Sequence, residues 1–389
     1  MDFLSKYLTE IKQLELHREL YTYSFRDAVH AQMDGKEYLI LASNNYLGLT
    51  HDPAIKQAAM AAINEYGTGS GGARLTIGSH PHYALLEQEL AEFKGAEAAV
   101  AFNTGYMANV GVISSLVGTG DTIYSDELNH ASIVDGCRLS RARVTIFQHS
   151  DVNHLSSLLA QSSSNGQKLI VVDGVFSMDG DIAPVDDIVD IAEKYNALVM
   201  VDDAHATGVI GPGGHGTAAH FGLKERIHIQ MGTFSKALGS EGGFVAGRKT
   251  IIEFLINKAR SFIYSTALSP ATIAAARAAI QQLTSRPELV QKLSRNACFM
   301  RRSLRDAGLP VGEGLTPIIP VIVGSAGATI ALVQELRREG VIVSAIRPPT
   351  VPAGTSRLRI TVSAAHEEAE LAVAAEKIAA AAKRLRIVV

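Results

Sequence analysis

The 389-residue chain has almost no net charge: 36 Lys+Arg stand against 39 Asp+Glu, a formal −3. That balance gives no electrostatic footprint for a nucleic-acid backbone or an anionic membrane surface. Cysteine is nearly missing. Cys137 and Cys298 alone cannot build a disulfide framework or a zinc site, and such scarcity fits a reducing compartment. No apolar run approaches the ~20 residues needed to cross a bilayer. The opening segment, MDFLSKYLTEIKQLELHREL, carries charges throughout and lacks the apolar core of a signal peptide. Charged residues are 19% and apolar residues 47%, which excludes disorder as the main state. The expectation is a soluble cytoplasmic protein acting on a small molecule, with no nucleic acid, membrane or metal as partner.

What is present is a regular beat. Leu4, Tyr7, Leu8, Ile11 and Leu14 recur at helical spacing, which predicts an amphipathic helix that docks on something, such as a partner subunit. EYLILASNNYLGL reads as a short strand and turn, and DPAIKQAAMAAINEY as a helix with Pro in its first turn. EAAVAF, DTIYSD, RVTIFQ, KLIVVDG, ALVMVDDA, IHIQMGTF and GGFVAG are short apolar runs, most of them separated by helical or loop segments. Strands apolar on both faces and alternating with helices predict an α/β fold with a mainly parallel sheet covered by helices. GGFVAG follows too soon for a helical crossover, so one strand is expected to run antiparallel. After about Ala276 the texture changes to a long helix, TPIIPVIVG, a further helix, VIVSAI, RLRITVS and an Ala-rich helix, which reads as a smaller α+β unit. The expected division is an N-terminal segment 1–40, a large domain 41–280 and a small domain 281–389.

In open parallel sheets, ligands bind beyond the carboxyl ends of the strands. Past KLIVVDG comes Ser177; past ALVMV come Asp202 and His205; past IHIQMG come Thr233, Ser235 and Lys236; past EAAVAF come Gly105 and Tyr106 at the start of a helix. A carboxylate, an imidazole, hydroxyls, a lysine and a helix N-terminus would thus share one edge. Pyridoxal 5′-phosphate needs such a set: a lysine for a Schiff base, an acid on the pyridine nitrogen and an anion site. Each residue taken alone has a plainer reading. A lysine after a strand is usually a solvated surface residue, a strand-end Asp often caps the next helix, and His205 could be a hydrogen-bonded core histidine. Their co-occurrence at three successive strand ends gives the set its meaning. Other motifs are weaker. Gly67, Gly69 and Gly72 satisfy GxGxxG, but a helix rather than a strand precedes them. His80 and His82 read as a loop or helix start.

FSMDGDIAP (176–184), MVDDAHATGVIG (200–211), TFSKALG (233–239) and SDELNHASIVDG (125–136) closely resemble the α-oxoamine synthases. These fold-type I pyridoxal-phosphate enzymes, homodimers with shared active sites, condense an amino acid with an acyl thioester and lose carbon dioxide. The resemblance runs from Leu16 to the C-terminal helix. It implies Lys236 as the Schiff-base lysine and proton carrier and Asp202 as the partner of the pyridine nitrogen. It implies His205 and Ser177 at the phenolic oxygen and His130 stacked on the ring. Gly105, Tyr106 and Thr233 would hold the phosphate, with Ser265 or Thr266 reaching across from a partner subunit. Arg359 is expected to grip the amino-acid carboxylate, with Asn44 nearby, and Arg18 and Thr350 to touch the acyl substrate. IRPPTVPAGTSRLRIT (346–361) is similar to the branch that joins L-alanine to a pimeloyl thioester in biotin synthesis; the alternative is the glycine-using branch. On RLRITV, Arg357 and Arg359 share a face by period-2 alternation, and an Arg fork matches a carboxylate. Arg357 is expected merely to line a solvated face.

Overall fold

A computed structural model describes residues 2–162, 165–223 and 225–387. The chain divides into two units: residues 47–177 and 181–290 form one, and residues 1–46, 178–180 and 291–389 the other.

The first unit is built on a seven-stranded sheet. Its spatial order is Ala98–Phe102, Gly243–Gly247, Ile229–Thr233, Leu198–Asp202, Lys168–Asp173, Thr122–Asp126 and Arg143–Phe147. Gly243–Gly247 runs antiparallel to both neighbours, and the remaining pairings are parallel. The short GGFVAG connection therefore has the consequence expected of it. Strand alternation sends successive side chains to opposite faces. Leu169, Val171 and Met200 join a core with Val112, Ile113 and Phe262. Ile170, Val172, Val199 and Val201 join another with Leu155, Ile188 and Val189. Both faces are covered, so the strands read as continuous apolar runs.

Local chemistry sets the helix starts. Asp52 caps Pro53–Tyr66 by accepting from the Ala54 N–H at 2.9 Å. Thr104 caps Gly105–Leu116 by accepting from the Met107 N–H at 3.0 Å. SHPHY opens the helix Pro81–Lys94.

The second unit carries an antiparallel three-stranded sheet in the order Ile318–Gly324, Ser356–Thr361, Ser344–Ile346. Met300, Leu304, Ile319, Leu358, Ile360, Leu371 and Ile378 fill its core. A second sheet joins Ser24–Phe25, His30–Met33, Lys36–Ile40 and Val341–Ile342. Residues 1–40, set apart in the sequence reading, group with residues 41–46 and the C-terminal part, and the division falls within the helix Glu288–Asp306. VIVSAI is two strands rather than one: Val341–Ile342 pairs in parallel with Lys36–Ile40, and Ser344–Ile346 pairs with Ser356–Thr361. The N-terminal helix Asp2–Gln13 buries none of its residues within the chain. Phe3 is 72% and Tyr7 61% exposed.

One buried ion pair ties the first unit together beside its strand ends. Lys94 Nζ donates to Asp203 Oδ2 at 2.7 Å and to the His215 carbonyl at 2.6 Å. Asp203 also accepts from the Thr217 N–H and hydroxyl. Both side chains are at most 1% exposed. Removing one partner strands the other charge, which costs far more than the pair contributes when intact. Lys94→Met is therefore expected to lower unfolding free energy by about 3–5 kcal/mol, read from urea denaturation. A loss below about 1 kcal/mol would show that Asp203 is satisfied without the ammonium.

Candidate active site

Six strands of the large sheet end at one edge, at Phe102, Asp126, Phe147, Asp173, Asp202 and Thr233. A cleft of about 210 Å³ opens there. Its walls carry Gly105, Tyr106, His130, Asp202, His205, Thr233 and Lys236, seven residues singled out from sequence.

Asp202 lies at the floor, 3% exposed. Its Oδ2 accepts from Asn109 Nδ2 at 2.7 Å, and its Oδ1 from the Ala204 N–H at 2.9 Å. The neighbouring strand contributes Asp173, in register with Asp202. Burial drives the Asp173 carboxyl well above the usual carboxylate range, and the Asp202 charge adds to the shift. The His130 N–H, donated to Asp173 at 2.7 Å, pulls the other way. His130 caps the helix Ala131–Ser140. Desolvation by the surrounding protein holds its imidazole below the ordinary value, with Lys236 acting in the same sense and Asp202 against it.

Opposite stands an anion cradle. Gly105 and Tyr106 open a 12-residue helix, where the first N–H groups have no partner within the helix. A side chain at position 105 would meet Met231 Cε at 3.1 Å and Thr233 Cβ at 3.6 Å, so glycine keeps the cradle open. Thr233 Oγ1 and Ser235 Oγ lie 2.7 Å apart beside it. The Tyr106 hydroxyl donates to Asp135. An amine, a buried carboxylate, an imidazole and a phosphate-sized cradle fit pyridoxal phosphate.

Other predicted residues lie elsewhere. Ser177 is half-buried in the turn after Lys168–Asp173 and is not among the residues lining the cleft. Thr266 is exposed and bridges to Ala73; its carbonyl accepts from Asn103 Nδ2. Asn44, Arg359, Arg18 and Thr350 belong to the second unit. There Arg359 is 5% exposed. Its Nη1 donates to Asn44 Oδ1 at 3.1 Å and its Nη2 to the Tyr46 hydroxyl at 3.3 Å. Burial raises the Tyr46 hydroxyl pKa, against the pull of Arg359. Arg18 and Thr350 are both exposed. The segments that carry them are joined by Arg347, which donates to the Glu15 and His17 carbonyls. Arg357 corrects its expectation. It is 5% exposed rather than solvated, and its guanidinium donates to Asp179. Alternation puts it beside Arg359, and that face of the strand is covered.

Asn109, Ser132, Asp173 and His149 escaped the sequence reading. His149 sits between two carboxylates, Nδ1 at 3.0 Å from Asp126 Oδ1 and Nε2 at 2.9 Å from Asp181 Oδ2. The available signal was a carboxylate at or after several strand ends, which needs a cation to hold the loops together.

The aminotransferase class I and II family matches residues 36–378, and the chain belongs to it. Across its full length the chain is 49% identical to an 8-amino-7-oxononanoate synthase of Lysinibacillus sphaericus, covering 100% of both. It is 49% identical to the same-named protein of Geobacter sulfurreducens, covering 98% of each. Among solved structures, serine palmitoyltransferase from S. paucimobilis, with a bound adduct of PLP and myriocin, superposes with TM-score 0.94 at 32% identity, covering 100% of this chain and 98% of that one. An 8-amino-7-oxononanoate synthase from Francisella tularensis gives TM-score 0.76 at 29% identity, covering 89% and 98%.

His149 yields a pH signature. Burial opposes its charge, but hydrogen bonds and charge from Asp126 and Asp181 prevail and push its pKa up to about 10. The unfolded ring titrates near 6.5. The folded chain thus binds one proton more between these values, and His149 stabilises fully below about pH 6.5 and progressively less as pH rises through about 10. His149→Gln is expected to flatten the loss of thermal stability on the alkaline side. An unchanged alkaline slope would show that the ring is neutral in the folded protein.

Proposed function

We propose that the chain is a pyridoxal-phosphate-dependent 8-amino-7-oxononanoate synthase. It condenses L-alanine with a pimeloyl thioester, expelling the thiol carrier and carbon dioxide. The observation that supports this most directly is the 49% identity over 387 residues to a relative of that name, joined to a cleft whose residues suit the cofactor.

The bound cofactor would supply an aldehyde and a protonated ring that draws electron density from the amino acid. Asp202, oriented by the donors Asn109 and Ala204, would pair with the ring nitrogen. Lys236 would hold the aldehyde carbon, and its amine is placed to take the Cα proton and return one. The N–H groups of Gly105 and Tyr106, with the Thr233 hydroxyl, hold the phosphate. His130 covers the ring face and offers a hydrogen bond to the thioester oxygen as charge develops there. His205 and Ser177 serve the phenolic oxygen. Arg359, oriented by Asn44 and Tyr46, grips the alanine carboxylate. Arg18 and Thr350 contact the acyl chain.

The protein works as a homodimer with shared sites, Thr266 serving the partner's phosphate. Free Cys137 and Cys298, together with biosynthetic relatives, support a cytoplasmic setting. Among the described residues, no helix is long and apolar enough to cross a membrane.

The purified protein mixed with pyridoxal phosphate should gain a visible absorbance band that borohydride removes, leaving the cofactor on Lys236. Lys236→Ala should lose that band and reduce turnover by roughly 10²–10⁴-fold. L-Alanine with pimeloyl-CoA should give a higher kcat/KM than glycine with acetyl-CoA, and the reverse order would reassign the chain to the glycine-using branch. Arg359→Ala should raise KM for alanine by roughly 10–100-fold; an unchanged KM would move the carboxylate grip elsewhere.

A further inference from the structure

Four side chains along one wall of the cleft form a continuous path. Asn109 Nδ2 lies 2.7 Å from Asp202 Oδ2 and 2.8 Å from Ser132 Oγ. Ser132 Oγ lies 2.7 Å from His130 Nδ1. Asn109 and Ser132 are each 1% exposed. Water therefore does not substitute for these partners.

Counting hydrogens gives the path a direction. An amide NH₂ has two hydrogens and a serine hydroxyl one. Turned the other way, the Asn109 amide would set Oδ1 against the Asp202 carboxylate, two acceptors face to face. Its NH₂ therefore faces Asp202, and both of its hydrogens are used, one on Asp202 and one on Ser132. Ser132 Oγ accepts from Asn109, so its single hydrogen turns to His130 Nδ1. The Ser132 backbone N–H also donates to Nδ1, at 3.2 Å. Nδ1 thus receives two donors and carries no proton, which leaves the ring's hydrogen on Nε2. Asn109 Oδ1 has no hydrogen-bond partner, so the orientation is set on the NH₂ side alone.

We infer that Asn109 and Ser132 are positioning residues: a one-way relay of donors that holds the Asp202 carboxylate at one end and fixes His130, at the other, as the tautomer protonated on Nε2. The relay acts through Asp202 and His130 and needs no contact of its own with substrate. It makes His130 a donor of a hydrogen bond at Nε2 rather than an acceptor. It also couples the residue assigned to the ring nitrogen to the residue assigned to the ring face. The inference rests on the proposed function only for what the cleft holds.

The test uses the full-length protein. Nitrogen-15 NMR of histidine-labelled protein without cofactor, above neutral pH, should show a pyridine-type Nδ1 and a pyrrole-type Nε2 for His130, assigned by their loss in His130→Gln. Ser132→Ala, which leaves Nδ1 only the 3.2 Å backbone N–H, should keep the proton on Nε2 but shift the Nδ1 resonance downfield as the stronger donor is lost, and Ser132→Thr should restore it. Fluorescence titration with pyridoxal phosphate should show Asn109→Ala weakening affinity roughly 10-fold, since it leaves a buried carboxylate short of a donor. The double variant Asn109→Ala/Ser132→Ala should lose less than the product of the single losses, because the two act as one unit. A wild type carrying its His130 proton on Nδ1, or strictly multiplicative losses, would overturn the relay. A wild type with the expected tautomer that takes up no pyridoxal phosphate would support the relay and overturn the functional reading alone.

Discussion

Everything at this site depends on supplying donors to a carboxylate buried at the bottom of the cleft. Asp202 ends a strand buried on both faces, where a polar group without hydrogen-bond partners is costly. The fold meets that constraint with donors: an amide from the helix Gly105–Leu116 on one oxygen and the Ala204 backbone on the other. Asp173, on the adjacent strand, is supplied differently. Its own backbone N–H donates to Asn129 Oδ1, its carboxyl accepts a single N–H from His130, and burial with the Asp202 charge raises its pKa. Two aspartates in register therefore take different roles because their donor supply differs. Asp202 gathers donors from a helix and a loop, and Asp173 anchors the turn that carries His130.

Fold similarity and sequence similarity answer different questions here. The serine palmitoyltransferase backbone superposes better than that of the Francisella synthase, with TM-scores of 0.94 and 0.76. That ranking follows the arrangement of sheets and helices, which serves many substrates. Substrate choice lies in side chains, and there the 49% identity to relatives named 8-amino-7-oxononanoate synthase weighs more. The second unit adds a feature independent of backbone superposition: a buried arginine, Arg359, that donates to Asn44 and to the Tyr46 hydroxyl.

Much of this was legible in the sequence because a parallel sheet converts chain order into spatial order. Apolar runs covered on both faces mark the strands, and whatever follows them must emerge at one edge. Asp202, Thr233 and Lys236 were readable for that reason. Asn109 and Ser132 were not. Each sits inside a helix among ordinary helical neighbours, and their partners lie 93 and 23 positions from Asn109. Arg357 was misread because alternation gives a face but not what covers it. The three residues 178–180, which bring Asp179 to Arg357, lie outside any strand pattern. VIVSAI looked like one strand because its composition is uniform; only pairing partners from two sheets divide it at Val343.

The two histidines near the strand ends show how neighbours choose a protonation state. His149 has a carboxylate at each ring nitrogen, so both nitrogens must donate and the ring is held as a cation. His130 has a hydroxyl and a backbone N–H at Nδ1, so that nitrogen must accept and the ring stays neutral. Exchanging these environments would be ruinous. A protonated Nδ1 on His130 would face the donors of Ser132, and a neutral ring between Asp126 and Asp181 would leave one carboxylate facing a lone pair. The same residue type thus serves as a structural clamp in one place and as a neutral hydrogen-bond donor in the other, with the difference written in the count of hydrogens each neighbour can offer.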